Sequence, residues 1–392
     1  MARRPLFEKP TLRIDEDLNQ ERKVSWIELF YDLVFVVSIA EIAHKLAADY
    51  SFTTFYKFIL LFIPVWWVWI NSTYYNERFE TNGLENRIFY FLKMLAIAAM
   101  AVYIHDALGE TSVQFALAYS GARLILLGMW MRATYYSKRF RPTGYRYIIG
   151  FSISILLFIG SIFVEPPMRF VIWGIALTID LLVPFTTLKL EAQLPQFSKS
   201  KLPERFGLFI IIVLGESIVG IVKGLAEQHH LDSHMISNFV LGFSIAFGLW
   251  WIYFDFIARR NSKPTTASSF AWGYLHLPFV IFVTAIGSGI LVLVSTESHY
   301  LPAEVIILMC LSLGLCLITL GLIETTLERL PNEFTHPFWS PAIKIITGVI
   351  SIILMFFCYS MDLHLLMGLM ILLVGINMLY GAYGWFTQKI NE

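Results

Sequence analysis

Residues 302–323 read PAEVIILMCLSLGLCLITLGLI, a run whose only charged side chain is Glu304. A bilayer core about 30 Å thick is crossed by about 20 residues of helix, and inside it each backbone amide must be bonded within its own segment. The run therefore predicts a helix that crosses a membrane. Working outward in both directions gives twelve such windows, at approximately 27–47, 54–73, 88–108, 112–131, 147–164, 167–189, 206–226, 236–257, 272–295, 302–323, 342–359 and 363–386. Composition agrees, since 57% of the 392 residues are apolar and 15% are charged, against about a quarter charged in soluble proteins. The fold class expected is an all-α polytopic membrane protein of about twelve transmembrane helices.

The charges sum to zero, 29 basic against 29 acidic, which argues for no nucleic-acid or other polyanionic partner. Their positions say more. Cytoplasmic connections are enriched in Lys and Arg, and 22 of the 29 basic residues fall in the N-terminal segment and every second connection after it. That alternation predicts an even number of spans with both termini cytoplasmic. The first 25 residues lack the apolar core of a signal peptide, so the first window is expected to stay in the mature chain. Cys310, Cys316 and Cys358 are scattered among apolar residues and suggest neither a disulfide framework nor a zinc knuckle.

A shift of 184 residues lays Trp66-Trp67-Val68-Trp69-Ile70-Asn71 on Trp250-Trp251-Ile252-Tyr253-Phe254-Asp255, and Asp32 on Glu216. A shift one residue shorter lays Lys93 on His276. The pattern predicts two parallel six-helix repeats, 27–189 and 206–386, joined by a cytoplasmic linker at 190–205 and flanked by cytoplasmic segments 1–26 and 387–392.

An ionisable group within a span costs roughly 2.5–3.5 kcal/mol on insertion scales, so it usually faces the protein interior or a water-filled cavity. Glu28 and Asp32 share one face of the first window; Glu41 and Lys45 form a second i, i+4 pair beside His44. Glu28, Asp32, Glu41, Lys93, Glu216 and His276 are the candidates for a coupling or substrate site, with Asp32 expected beside Lys93 and Glu216 beside His276. Arg123, Asp180 and Asp255 form a secondary set of buried charges, for which a helix-stapling ion pair is an equal reading. A buried acid beside a base can exchange a proton or hold a cation as its neighbour moves. Glycines near these groups, Gly215, Gly220, Gly224, Gly287 and Gly289, suit close helix packing.

His230 and His234 stand four apart in a polar connection and are the one weak metal candidate. The tryptophans and tyrosines at 66–75 and 250–253 read as anchors at the membrane surface. No phosphate-binding loop, serine nucleophile elbow or HExxH occurs, and no connection is long enough for a nucleotide-binding domain. No cofactor is expected.

At Trp26-Ile27-Glu28-Leu29-Phe30-Tyr31-Asp32-Leu33-Val34-Phe35-Val36 the chain resembles the bacterial low temperature requirement protein A (LtrA) family, with Tyr31 in place of the usual Phe. Arg205-Phe206-Gly207-Leu208-Phe209 with Leu214-Gly215-Glu216-Ser217, and Tyr274-Leu275-His276-Leu277-Pro278, extend the likeness over nearly the whole chain. The resemblance implies a bacterial inner-membrane protein connected with growth in the cold, and brings no substrate with it. A fainter likeness, to a cation-channel family with an RxxxFSD signature, rests on Phe30-Tyr31-Asp32. The expectation is a secondary transporter of a small solute or ion, coupled to protons or cations, with the bilayer as its surroundings. A cation channel, or a membrane enzyme or lipid-interacting cold-adaptation factor, is the alternative, and association into a homo-oligomer stays open.

Overall fold

The computed structural model describes residues 7–13, 23–81, 83–226, 233–296, 300–329, 333, 335–357 and 361–387. Its helices are α1 (Trp26–Ala48), α2 (Phe52–Arg78), α3 (Leu84–Ile104), α4 (Ser112–Tyr136), α5 (Arg141–Ser161), α6 (Met168–Leu182), α7 (Leu188–Glu191), α8 (Lys201–Ala226), α9 (Ser233–Phe256), α10 (Thr266–Ser295), α11 (Ala303–Thr325), α12 (Trp339–Leu354) and α13 (Leu363–Thr387). Each apolar window coincides with a helix. Ten of the helical segments are long and apolar enough to cross a membrane, with Met168–Glu191 counted as one. α1 falls outside that set because it carries Glu28, Asp32, Glu41 and Lys45, and α12 because it has 16 residues.

The placement of side chains on α1 shows which solvent the surface meets. Phe30, Leu33 and Val37 form an outward stripe, each more than half exposed, while Asp32 on the same helix is fully buried. Apolar groups outside and charge inside is the arrangement lipid imposes. The protein is a multi-pass membrane protein.

The helices form two compact units, one of residues 1–42 and 60–202, the other of residues 43–59 and 203–392. In the first, α3, α4, α5 and α6 pack each against the next. α6 gives way to a 3-10 stretch, Val183–Thr187, at Pro184, whose ring removes a backbone donor and crowds the preceding turn. Trp130 anchors an aromatic cluster there, with the rings of Tyr75, Tyr147 and Phe140 at centroid distances of 5.1, 5.2 and 5.5 Å. A two-residue strand β1 (Thr11–Leu12) pairs antiparallel with β2 (Phe79–Glu80) and ties the N-terminal segment to the end of α2.

In the second unit α10 packs on α9 and α11, α11 on α12, and α9 on α13. The α11 and α12 backbones approach so closely that a Cβ on Gly314 would lie 2.6 Å from the Gly348 carbonyl oxygen. Small residues at such a crossing bring whole helices within dispersion range, the main attraction left when the solvent is itself apolar.

Candidate functional site

In the first unit, the acid of α1 and the base of α3 find partners on one face of α2. Trp69 Nε1 donates to Asp32 Oδ1 at 2.9 Å, and Lys93 Nζ donates to Ser72 Oγ at 2.8 Å. Trp69 and Ser72 are three residues apart, which puts them on adjacent turns of the same helical face. Asp32 and Lys93 are fully buried, and the Lys93 ammonium lies 4.1 Å from the ring centre of Tyr90 and 4.6 Å from that of Tyr31. Aromatic faces stabilise a desolvated cation. The tryptophans expected at the membrane surface are thus partly interior: Trp66 and Trp69 are fully buried, and in an apolar interior an indole N–H needs an acceptor, which for Trp69 is Asp32.

Glu28 has a local duty. Its Oε2 accepts from both the backbone N–H and the hydroxyl of Ser25, a capping box that closes the start of α1. Its other oxygen lies 2.8 Å from Lys201 Nζ. Arg123 of α4 and Asp180 of α6 form a buried ion pair at 2.7 Å, with Tyr119 donating to the same carboxylate at 3.1 Å. Arg123 stacks on Phe151 at 4.7 Å, so this group reads as a staple through α4, α5 and α6. Glu41 lies on the exposed face of α1, as does Lys45 in the same turn.

The second unit holds the other acid. Glu216 of α8 faces His44, near the end of α1, with Nε2 to Oε1 at 3.4 Å. The two carry side-chain exposures of 13% and 41%, in contrast to the closed surroundings of Asp32. They line a small cleft with Ser217, Thr284, Gly287 and Ser288, whose water-sized space is about 10 Å³, enough for about one water molecule. Gly287 is what admits α8 there, because a Cβ on it would lie 2.1 Å from Ser217 Oγ.

His276 is not the partner of Glu216. Its Nδ1 lies 2.7 Å from the Trp272 carbonyl and its Nε2 3.1 Å from the Tyr253 hydroxyl. A carbonyl only accepts, so Nδ1 carries the proton and Nε2 accepts from Tyr253. Phe206, Trp272, Tyr253 and Phe279 enclose the ring. The expected pairing fails because the two residues lie sixty positions apart on different helices, and which side chains face each other depends on helix rotation as well as depth. Asp255 is also not deep: it is one third exposed, accepts from Trp251 Nε1 at 2.6 Å, and sits 4.0 Å from Arg259.

His230 lies outside the described residues. His234 packs edge-on against His364 at 4.6 Å, and among the described residues no group of three or more His, Cys, Asp or Glu is arranged to hold a metal ion. Cys358 also lies outside them, and Cys310 and Cys316 are buried free thiols.

Sequence reading missed a buried charge network of this unit. Glu324 at the end of α11 binds Arg260 and Lys344, each at 2.9 Å, and Arg260 reaches Glu333 at 3.1 Å. Ser340 donates to Glu324 at 2.6 Å, and Lys344 lies 3.4 Å from the ring centre of Phe256. A lysine inside the apolar window 342–359 was the available signal.

With this geometry in view, the relatives can be placed. Residues 23–379 match the family model described as bacterial low temperature requirement A protein (LtrA). An uncharacterised protein of Rhizobium meliloti (strain 1021) is 30% identical over 303 residues, covering 72% of this chain and 73% of that one.

Proposed function

The chain belongs to the LtrA family, and from that premise we propose that it is a secondary transporter of a small solute or ion, coupled to protons or cations through Glu216 and Asp32. The observation that carries the proposal is the Glu216 carboxylate, opposed by an imidazole at 3.4 Å in a cleft with room for about one water. Coupling needs a charge that can be exchanged, which requires access and a polar partner close by; the partial exposure and short separation of this pair support that reading. Asp32, fully buried beneath Trp69, is the second acid, held ready by α2 for a change in the neighbourhood of Lys93.

In this reading the ten long apolar segments, α1 and α12 make twelve spans, arranged as two parallel six-helix repeats with both termini in the cytoplasm of a bacterium's inner membrane. The alternation of basic connections supports it. Absence of any nucleotide-binding motif favours a secondary rather than a primary mechanism. The small size of the cleft favours an ion over a bulky solute.

Reconstitution tests the proposal. Proteoliposomes carrying the wild type, loaded with a pH-sensitive dye, are expected to dissipate an imposed pH gradient faster than empty vesicles, and Asp32→Asn and Glu216→Gln are expected to remove the difference while remaining folded. Undiminished flux in both variants defeats the assignment. Voltage-driven current without saturation, recorded across a planar bilayer, replaces it with the channel.

A further inference from the structure

A cavity of about 800 Å³ lies among the start of α1, the end of α2, β2, the start of α3 and the N-terminal segment that pairs with β2, and each of its walls belongs to the first unit. That volume falls within the range of about 300–1,000 Å³ over which pockets hold small organic molecules. Neither Asp32 nor Glu216 lines it, so the coupling groups leave it without a task.

Two side chains in its wall are buried donors with nothing to donate to. Asn76 is 7% exposed, and its Nδ2 has no hydrogen-bond partner among the described residues. The Arg13 side chain is 9% exposed, and its Nε and Nη1 have none either. Arg13 meets its carboxylates at longer range, Nη1 at 3.7 Å from Glu77 and Nε at 3.9 Å from Glu80. A buried donor left unbonded is costly, so each asks for an oxygen lone pair from whatever fills the cavity. Beside them the half-exposed Glu80 carboxylate asks for the opposite, since a carboxylate only accepts.

Charge then selects among possible ligands. Arg13, Arg87 and Lys201 in the wall are matched by Glu8, Glu28 and Glu80, and Lys201 stands 2.8 Å from Glu28, so neither sign is favoured. An anion added at Arg13 meets two carboxylates already within 4 Å of the same guanidinium, and an added cation meets the guanidinium itself. A hydroxyl carries one donor and two lone pairs without charge, and several on one carbon frame serve Asn76, Arg13 and Glu80 together. The C–H face of such a frame has the rings of Phe79 and of Trp26, 88% exposed, to lie against. We propose that this cavity of the first unit binds a neutral polyhydroxylated molecule, a polyol or a sugar, with Asn76 and Arg13 donating to its oxygens and Glu80 accepting from its hydroxyls. The site stands whether or not Glu216 and Asp32 exchange protons.

Isothermal titration calorimetry on the full chain, in an amine-oxide detergent whose headgroup carries no sugar, tests this with sorbitol, inositol, glucose and maltose as probes. At least one of them is expected to bind saturably at a single site per chain, while glycine, inorganic phosphate and choline give no saturable heat. Asn76→Leu is expected to weaken that binding by about tenfold, the worth of one good hydrogen bond. Its unfolding temperature without probe is expected to be unchanged or raised, because the substitution deletes a buried donor that nothing satisfies. Arg13→Gln is expected to weaken binding as well, and Asp255→Asn, in the second unit, to bind as the wild type does. The absence of saturable binding by all of these polyols and sugars overturns the proposal. So does binding of glycine or phosphate as tight as that of the best of them, or wild-type affinity in both Asn76→Leu and Arg13→Gln. Binding with no proton flux in proteoliposomes upholds this site and defeats the transporter; flux with no binding upholds the transporter and defeats this site.

Discussion

Asp32 and Glu216 stand 184 residues apart in windows that align with one another, and the surroundings of the two acids differ in kind. Asp32 has no exposed surface and receives an indole N–H in good geometry. Glu216 keeps some exposure and faces the His44 imidazole at 3.4 Å beside a small cleft. A carboxylate enclosed like Asp32 holds helices in register, and moving its charge requires the packing to move. A carboxylate placed like Glu216 can change its partner while the helices stay where they are. Two acids at matching positions of aligned windows thus have different surroundings, and the difference lies in what the neighbouring helices present.

The comparison can be pressed hardest at the enclosed charges of the first unit. Replacing Arg123 by Leu strands the Asp180 carboxylate at zero exposure, and breaking a buried pair in this way costs about 3–5 kcal/mol. The expected result is a large fall in thermal unfolding temperature in detergent, mostly restored in the Arg123→Leu, Asp180→Leu double variant; equal loss in both would show that the pair is not what the residues contribute. Trp69→Phe leaves Asp32 short of the donor it has at 2.9 Å, a loss of about 1–3 kcal/mol that the same unfolding assay reads.

In the open region, Gly287→Ala places a methyl group where Ser217 Oγ sits 2.1 Å away. Overpacking of this sort costs about 1–3 kcal/mol, and here it is expected to close the cleft, so that proton flux falls more steeply than stability does. The smallest effect belongs to Asp255, one third exposed and 4.0 Å from an exposed Arg259; Asp255→Asn is expected to change stability by about 0.5 kcal/mol or less.

The helices themselves were legible, because a span must be apolar for about 20 residues whatever it packs against. α5, α10 and α12 begin several residues before their windows, since Arg141, Thr266 and Trp339 start a helix through polar or aromatic positions that a count of apolar residues discounts. Depth was legible too: Asp32, Lys93, Glu216, Asp180 and Arg123 all lie in the interior or beside the cleft. Partnership was not. His44 faces Glu216 and His276 faces Tyr253 because of how α1, α9 and α10 are rotated about their axes, and rotation is set by tertiary packing, Gly287 included, which no single window encodes. Asp255 was misread as deep because Trp251 and the helix end look apolar in sequence, whereas the side chain turns toward Arg259 at the edge.

The account's central claim for the second unit, that its cleft acid takes part in exchange and its peripheral acid does not, meets its most direct test in two variants of that unit measured side by side. Proton flux from dye-loaded proteoliposomes is predicted to fall to the empty-vesicle background in Glu216→Gln and to stay at the wild-type rate in Asp255→Asn. Wild-type flux in Glu216→Gln, or loss in both variants alike, would contradict it.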